Sequence, residues 1–281
     1  MSPRLRVGGP ATAQAAWIDR FIQHCVEQKV RVDFVSTHVY ANDSAKDVFG
    51  TNENIPRHDM VGRSVKKVFD QVRHSARPDL TIHWSEYNAS YKNEVEVTDT
   101  SFMGPWLANN IRQSQGMTTL MSYRCFSDVF EEQGIVKTPF DGGFGMIAER
   151  GIPKASFNVF AMLHRLGDRL LPVASENALV TKRSDGSLAI AVWNYAEPEE
   201  TGAPREFRVT GAPGKARMTV LDAEHGDAFT AFKKMGSPPS PTRAQIATLR
   251  QAGALPADVP VDLRKPFTLA PKSLALLEVT R

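Results

Sequence analysis

Pro78-Asp-Leu-Thr-Ile-His-Trp-Ser-Glu-Tyr-Asn88 is the stretch from which the fold can be read outward. Leu80, Ile82, Trp84 and Glu86 alternate with Thr81, His83 and Ser85, a period of two that belongs to a β-strand. On its N-terminal side Val61, Val65, Val68, Phe69 and Val72 recur at helical spacing, and the stripe stops before Arg77-Pro78. On its C-terminal side Asp99 or Thr100 can cap a helix reaching about Gln115, with a kink expected at Pro105. Helix, strand and helix therefore follow one another here.

The alternation continues in both directions. Leu5-Arg-Val-Gly8 reads as a strand, and Ala11 to Gln28 as a helix with Ile18, Phe21, Ile22 and Cys25 on one face and Pro10 at its first turn. Asp33-Phe-Val-Ser-Thr-His38 and Thr118 to Phe126 supply two more strands, and Pro153 opens a helix carrying Val159, Leu163 and Leu166. Four βα repeats predict an α/β fold, a parallel sheet covered by helices. A complete (β/α)8 barrel needs about 250 residues. Only residues 1–170 carry this pattern, so half a barrel or an open sheet is expected.

Beyond Leu171 short strands and turns take over. Ala178–Lys182 and Ser187–Trp193 flank Asp185-Gly186 as a hairpin, and Arg205–Val209, Ala216–Leu221, Phe267–Leu269 and Ser273–Val279 are further strands. Thr242 and Gln245 form a T-x-x-Q capping box ahead of Ile246 and Leu249. An antiparallel β-sandwich with one inserted helix is expected over residues 171–281.

Composition narrows the classes. With 42% hydrophobic and 23% charged residues, disorder throughout is excluded. A net charge of +3, from 34 Lys+Arg and 31 Asp+Glu, is too small to make nucleic acid or an anionic membrane the main partner. Cys25 and Cys125 are too few for a disulfide scaffold, and the histidines show neither i, i+4 nor His-x-His spacing, so neither a metal nor a cofactor is expected. Met1-Ser-Pro-Arg-Leu-Arg6 has no apolar h-region, which predicts a cytoplasmic protein. Neither a P-loop, a G-x-G-x-x-G nor a G-x-S-x-G elbow occurs.

Chemistry belongs at the C-terminal ends of parallel strands. Glu86 ends its strand on the face of Leu80, Ile82 and Trp84, flanked by Ser85, Tyr87 and Asn88. There it is either an ionised nucleophile or a surface ion-pair partner. His38 and Tyr40 end another strand; they can hold sugar hydroxyls or orient a carboxylate, and a buried structural histidine is the alternative. Glu131 and Glu132 are either a solvated patch or acceptors for vicinal hydroxyls.

Ser85-Glu-Tyr-Asn88 after its strand resembles the nucleophile motif of the family 39 glycoside hydrolases, the β-xylosidases. Phe126-Ser-Asp-Val-Phe-Glu-Glu132, Phe140-Asp-Gly-Gly-Phe-Gly145, Val7-Gly-Gly-Pro-Ala-Thr12 and Asp33–His38 resemble it too, in the family's order. The resemblance implies a (β/α)8 TIM barrel, here only its C-terminal half with strands five to eight, followed by the sandwich. It implies retaining hydrolysis of β-xylosides with Glu86 as nucleophile, His38 and Tyr40 near the reacting sugar, and Glu131 and Glu132 on its hydroxyls. The implied ligand is a β-xyloside or xylose-containing oligosaccharide. Two departures stand out. Arg124 occupies a position where the family more often has Trp, and no Asn-Glu-Pro, the family's acid/base motif, occurs in the 281 residues. A poor glycosidase is expected, with a non-catalytic carbohydrate-binding remnant, or a half barrel completed by a second copy or by a missing N-terminal half, as alternatives.

Overall fold

The computed structural model describes residues 4–130 and 134–280. Two compact units divide the chain: Met1–Tyr91 with Asn110–Cys125, and Lys92–Asn109 with Phe126–Arg281. In chain order the first elements are β1 (Gly8–Thr12), α1 (Ile18–Glu27), β2 (Phe34–Tyr40), α2 (Ala45–Phe49), α3 (Arg57–Arg73), β3 (Thr81–Asn88), α4 (Val95–Thr98), α5 (Met103–Gln113) and β4 (Leu120–Tyr123).

In the first unit the four strands form one parallel sheet in the order β1-β2-β3-β4, without a reversal of strand order. Right-handed crossovers between successive strands put their helices on one face. Helices α1 and α3 pack there. Val35, Thr37 and Val39 of β2 and Ile82 and Trp84 of β3, each no more than 2% exposed, form the apolar side of the sheet. Phe34, Ser36, His38 and Tyr40 lie on the opposite side, where Phe34 stacks on His83 with ring centroids 4.4 Å apart.

Three expectations are corrected. Strand β1 starts at Gly8 instead of Leu5, and Pro10 lies within it. A Cβ on Gly8 would stand 2.3 Å from the Phe34 carbonyl oxygen, so only glycine permits this approach, and Gly-Gly-Pro offers no apolar pattern to read. Helix α1 starts at Ile18, because Ala11, Gln14, Ala15 and Trp17 hold φ of 56°, 59°, 51° and 66°. Helix α5 starts at Met103, which puts Pro105 in its first turn, where a missing N–H breaks no helical bond.

The second unit continues with β5 (Ile147–Ala148), β6 (Ile152–Pro153), α6 (Ala155–Leu163), β7 (Arg169–Leu171), β8 (Ala178–Lys182), β9 (Leu188–Asn194), β10 (Arg205–Phe207), β11 (Lys215–Leu221), α7 (Ala228–Lys234), α8 (Arg243–Ala252), β12 (Val259–Val261), β13 (Phe267–Leu269) and β14 (Ser273–Thr280). Six of these strands make an antiparallel sheet ordered β12-β11-β14-β9-β8-β7. Strands β10 and β13 pair separately and lay Phe207, Phe267 and Leu269 against Ile190, Val192, Ala275 and Leu277. Strand β9 follows the Asp185-Gly186 turn, where Gly186 holds φ +85° and the Ser187 N–H donates to the Asp185 carboxylate at 2.9 Å. The capping box of α8 forms as read. Helix α7 is a second inserted helix beyond the one expected, and Asp227 caps it by accepting from the Thr230 N–H at 3.0 Å.

Candidate active site

A bulge in β3 builds the site. Thr37 pairs with Trp84 but the next residue, His38, pairs with Glu86, and on the other edge Trp84 and Tyr87 pair with Met121 and Tyr123. One extra residue at Ser85-Glu86 reverses the alternation. Glu86 therefore leaves the row of Ile82 and Trp84, contrary to the strict period of two, and Tyr87, 1% exposed, joins the buried residues. The slip brings Glu86 to the side of the sheet that carries His38 and Tyr40.

There the structure gathers four side chains. The Tyr40 hydroxyl donates to Glu86 Oε2 at 2.5 Å. His38 Nδ1 and Arg124 Nε each lie 3.7 Å from the same oxygen. Arg124 also donates to the Tyr40 hydroxyl oxygen at 3.1 Å. With a guanidinium occupying its oxygen, the phenol directs its proton to the carboxylate. Burial and the bond to Glu86 push the Tyr40 phenol well above the ordinary tyrosine range, against the pull of Arg124, so it stays a donor at any physiological pH. Glu86 is 33% exposed, while His38 and Arg124 are 19% exposed, so the carboxylate is held and still reachable.

Of the residues expected at the site, Glu86, His38 and Tyr40 come together. Glu131 and Glu132 lie outside the described residues. Arg124 stood out in the sequence only as a departure from the family; no spacing announces that a residue 38 positions after Glu86 reaches it.

Behind Tyr40, the Asp43 carboxylate accepts from the Tyr40 N–H at 2.8 Å. Burial, with the Asp47 charge adding to it, raises Asp43 from 3.8 to about 6. The folded chain then keeps this proton longer than the unfolded chain does. Stability present below about pH 4 is accordingly lost as pH rises through about 6. Asp43→Asn is expected to stabilise the protein at pH 8 by about 1–2 kcal/mol after allowance for solvent screening, and to flatten the slope between pH 4 and 6. Denaturant unfolding of both proteins at the two pH values measures this; equal stabilities at pH 8 would refute it.

In the second unit, the Phe126-Ser-Asp and Asp-Gly-Gly-Phe-Gly motifs meet. Asp128 accepts from the Gly145 N–H at 2.6 Å, and the buried Lys154 ammonium lies 3.0 Å from Asp128 and 2.5 Å from Asp99. A Cβ on Gly143 would stand 2.4 Å from the Asp128 carboxylate, and one on Gly145 2.3 Å from the Ser127 backbone. These motif residues hold a loop together. Among the described residues no group of three or more His, Cys, Asp or Glu is placed to hold a metal ion, and no helix is long and apolar enough to cross a membrane.

The model of Glycosyl hydrolases family 39 matches residues 1–266. The chain is 34% identical over 263 residues to a beta-xylosidase of Geobacillus stearothermophilus, covering 90% of this chain and 52% of that protein. It is 29% identical over 268 residues to a beta-xylosidase of Caldicellulosiruptor saccharolyticus, covering 89% and 53%. Among solved structures, a GH39 beta-xylosidase from Caulobacter crescentus superposes with a TM-score of 0.82 at 29% identity, over 99% of this chain and 58% of that one. The GH39 enzyme from Xanthomonas axonopodis pv. citri gives 0.81 at 28%, over 99% and 60%. The chain spans about half the length of the curated relatives it matches. An α/β fold of the (β/α)8-barrel kind with an accompanying β-sandwich agrees with these likenesses, and with the order of the sequence motifs they lead to one assignment: the chain belongs to family 39 of the glycosyl hydrolases.

Proposed function

We propose that this chain is the nucleophile-bearing, C-terminal half of a β-xylosidase-like barrel, strands five to eight within residues 1–170, with an accessory sandwich over 171–281. The observation that carries it is the Glu86 carboxylate, placed by a strand bulge at the C-terminal end of a parallel sheet, with Tyr40, His38 and Arg124 all directed at one of its oxygens. Parallel strands in chain order are the wall pattern of a singly wound barrel, and the relatives named above lend the substrate class.

In this reading Oε2 is the held oxygen and Oε1 the attacking one. Oε1 bonds to the anomeric carbon of a β-xyloside as the bond to the leaving oxygen breaks, and water later displaces Glu86 to give the β-sugar again. Tyr40 and Arg124 fix the carboxylate's rotamer for in-line attack. Tyr40→Phe removes the donor and is expected to slow glycosyl-enzyme formation about 10–100-fold with the fold unchanged. Pre-steady-state release of an aryl leaving group measures that step, and a rate equal to that of the parent would refute the positioning role.

Protonating the leaving oxygen requires a second carboxyl about 5–5.5 Å from the first. The family's Asn-Glu-Pro motif for that residue is absent from the 281 residues. The same absence favours the second reading, a carbohydrate-binding or partner-requiring half barrel. Purified chain is expected to turn over an activated aryl β-xyloside slowly, with retention, and xylobiose far more slowly, since general acid catalysis is worth about 10²–10⁴. Cleavage of xylobiose at about 1–10³ s⁻¹ would overturn the first reading, and xylose binding without any turnover would select the second.

A further inference from the structure

Tyr40, His38 and Arg124 all approach Glu86 Oε2, but they differ in charge. The Tyr40 hydroxyl, at 2.5 Å, is a neutral dipole. His38 Nδ1, at 3.7 Å, belongs to a ring that carries charge only when protonated. Arg124 Nε, also at 3.7 Å, belongs to a guanidinium that stays charged at any pH a protein meets. Its side chain is only 19% exposed, so water screens that charge weakly.

The guanidinium is also held in advance. The Arg124 N–H donates to the Tyr87 carbonyl at 3.2 Å, and the buried Asn88 amide donates to the Arg124 carbonyl. Both partners belong to β3, so the backbone behind the cation is tied to the strand that bears the carboxylate. At the other end of the side chain, Nη1 donates to the Tyr40 hydroxyl oxygen at 3.1 Å. A charge fixed in this way acts on whichever step changes the charge beside it.

We propose that Arg124 serves the second half of the double displacement, stabilising the Glu86 carboxylate as it departs from the sugar. This role rests on the glycosidase reading above and goes beyond the positioning of the carboxylate given there. In the first half, Oε1 bonds to the anomeric carbon and the leaving oxygen takes the electron pair of the bond that breaks. The carboxylate becomes a neutral ester, and its attraction to Arg124 weakens. In the second half, a water oxygen bonds to the anomeric carbon, the bond to Oε1 breaks and its electron pair returns to the carboxylate, while the water proton passes to solvent. Negative charge then reappears over Oε1 and Oε2, beside the guanidinium. Arg124 therefore restrains attack and hastens release. Release is the step in need of it, since the 281 residues lack the family's acid/base motif that would activate water. Arg124 is itself a departure from the family's pattern, so this cation is not part of the family's usual site.

A dinitrophenyl β-xyloside needs no protonation of its leaving group, so a burst of phenolate reports attack and the linear phase after it reports release. The parent is expected to show such a burst. Arg124→Met is expected to keep the burst rate within about threefold of the parent or to raise it, because Tyr40 and His38 still reach Oε2. Its linear phase is expected to slow about 10–100-fold, the worth of one contact to a charged group. Arg124→Lys keeps the charge and is expected to stay within about fivefold of the parent in the linear phase. Intact-mass measurement during turnover is expected to find Arg124→Met mostly as xylosyl-enzyme. Parent turnover without a burst, an unchanged linear phase in Arg124→Met, a burst slowed as much as the linear phase, or equal losses in the Met and Lys variants overturns this role and leaves the glycosidase reading standing. Absence of any phenolate release by the parent overturns both.

Discussion

Glu86→Gln is expected to cut turnover of an activated aryl β-xyloside by on the order of 10⁴–10⁶-fold, the scale on which removing a nucleophile acts. Gln matches Glu in shape, so the effect is chemical. The amide oxygen still accepts from Tyr40, but an uncharged amide does not attack an anomeric carbon. Because Glu86 is 33% exposed and sits at a strand end, the substitution leaves the sheet in place. Circular dichroism and the unfolding midpoint should match the parent within the range of ordinary surface changes, about 0.5 kcal/mol. Parallel steady-state measurements on both proteins give the ratio, and a loss below tenfold would remove Glu86 from the chemistry.

The second large effect concerns stability. Lys154 is fully buried, 2.5 Å from Asp99 and 3.0 Å from Asp128, and donates to the Gly143 carbonyl at 2.8 Å. One cation serves two carboxylates, and burial raises Asp99 to about 6 even with Lys154 beside it. Lys154→Met leaves two buried carboxylates without their counter-charge. Breaking a buried pair from one side costs about 3–5 kcal/mol, which lowers the unfolding midpoint by about 10 °C for a protein of this size. Asp99→Asn in the Lys154→Met background should recover part of that loss, because it neutralises one of the two orphaned charges. Calorimetric scans of the single and double variants decide it. A midpoint within 3 °C of the parent for Lys154→Met would show that the cluster carries no net stability.

The contrast between these two sites shows what the sequence makes legible. Regular periodicity announces β2, β3 and α3, the Asp185-Gly186 hairpin and the α8 cap, because local chemistry alone enforces each of them. What it conceals has three physical causes. Gly8-Gly9-Pro10 forms a strand through close backbone approach, without side chains to show a pattern. The bulge at Ser85-Glu86 is a tertiary adjustment between neighbouring strands, so the alternation puts Glu86 on the wrong side of the sheet although its identity as a strand-end carboxylate is readable. Asp99, Asp128 and Lys154 are separated by 29 and 26 positions, and only folding reveals that the Phe-Ser-Asp motif holds a glycine loop. Likewise Arg124 joins Tyr40 and Glu86 across strands, a partnership without any sequence spacing of its own.

Attack of Glu86 on the sugar leaves a covalent mark that mass spectrometry locates. The chain is incubated with a xyloside bearing fluorine at C2 and an activated leaving group, which forms the glycosyl-enzyme and then hydrolyses too slowly to escape. Digestion and tandem mass spectrometry locate the added mass. One fluoroxylosyl group per chain is expected, on the peptide containing Ser85-Glu86-Tyr87-Asn88 and on Glu86 within it. A label on Glu131, Glu132 or any other carboxylate, or an unlabelled protein that still binds xylose, would contradict it.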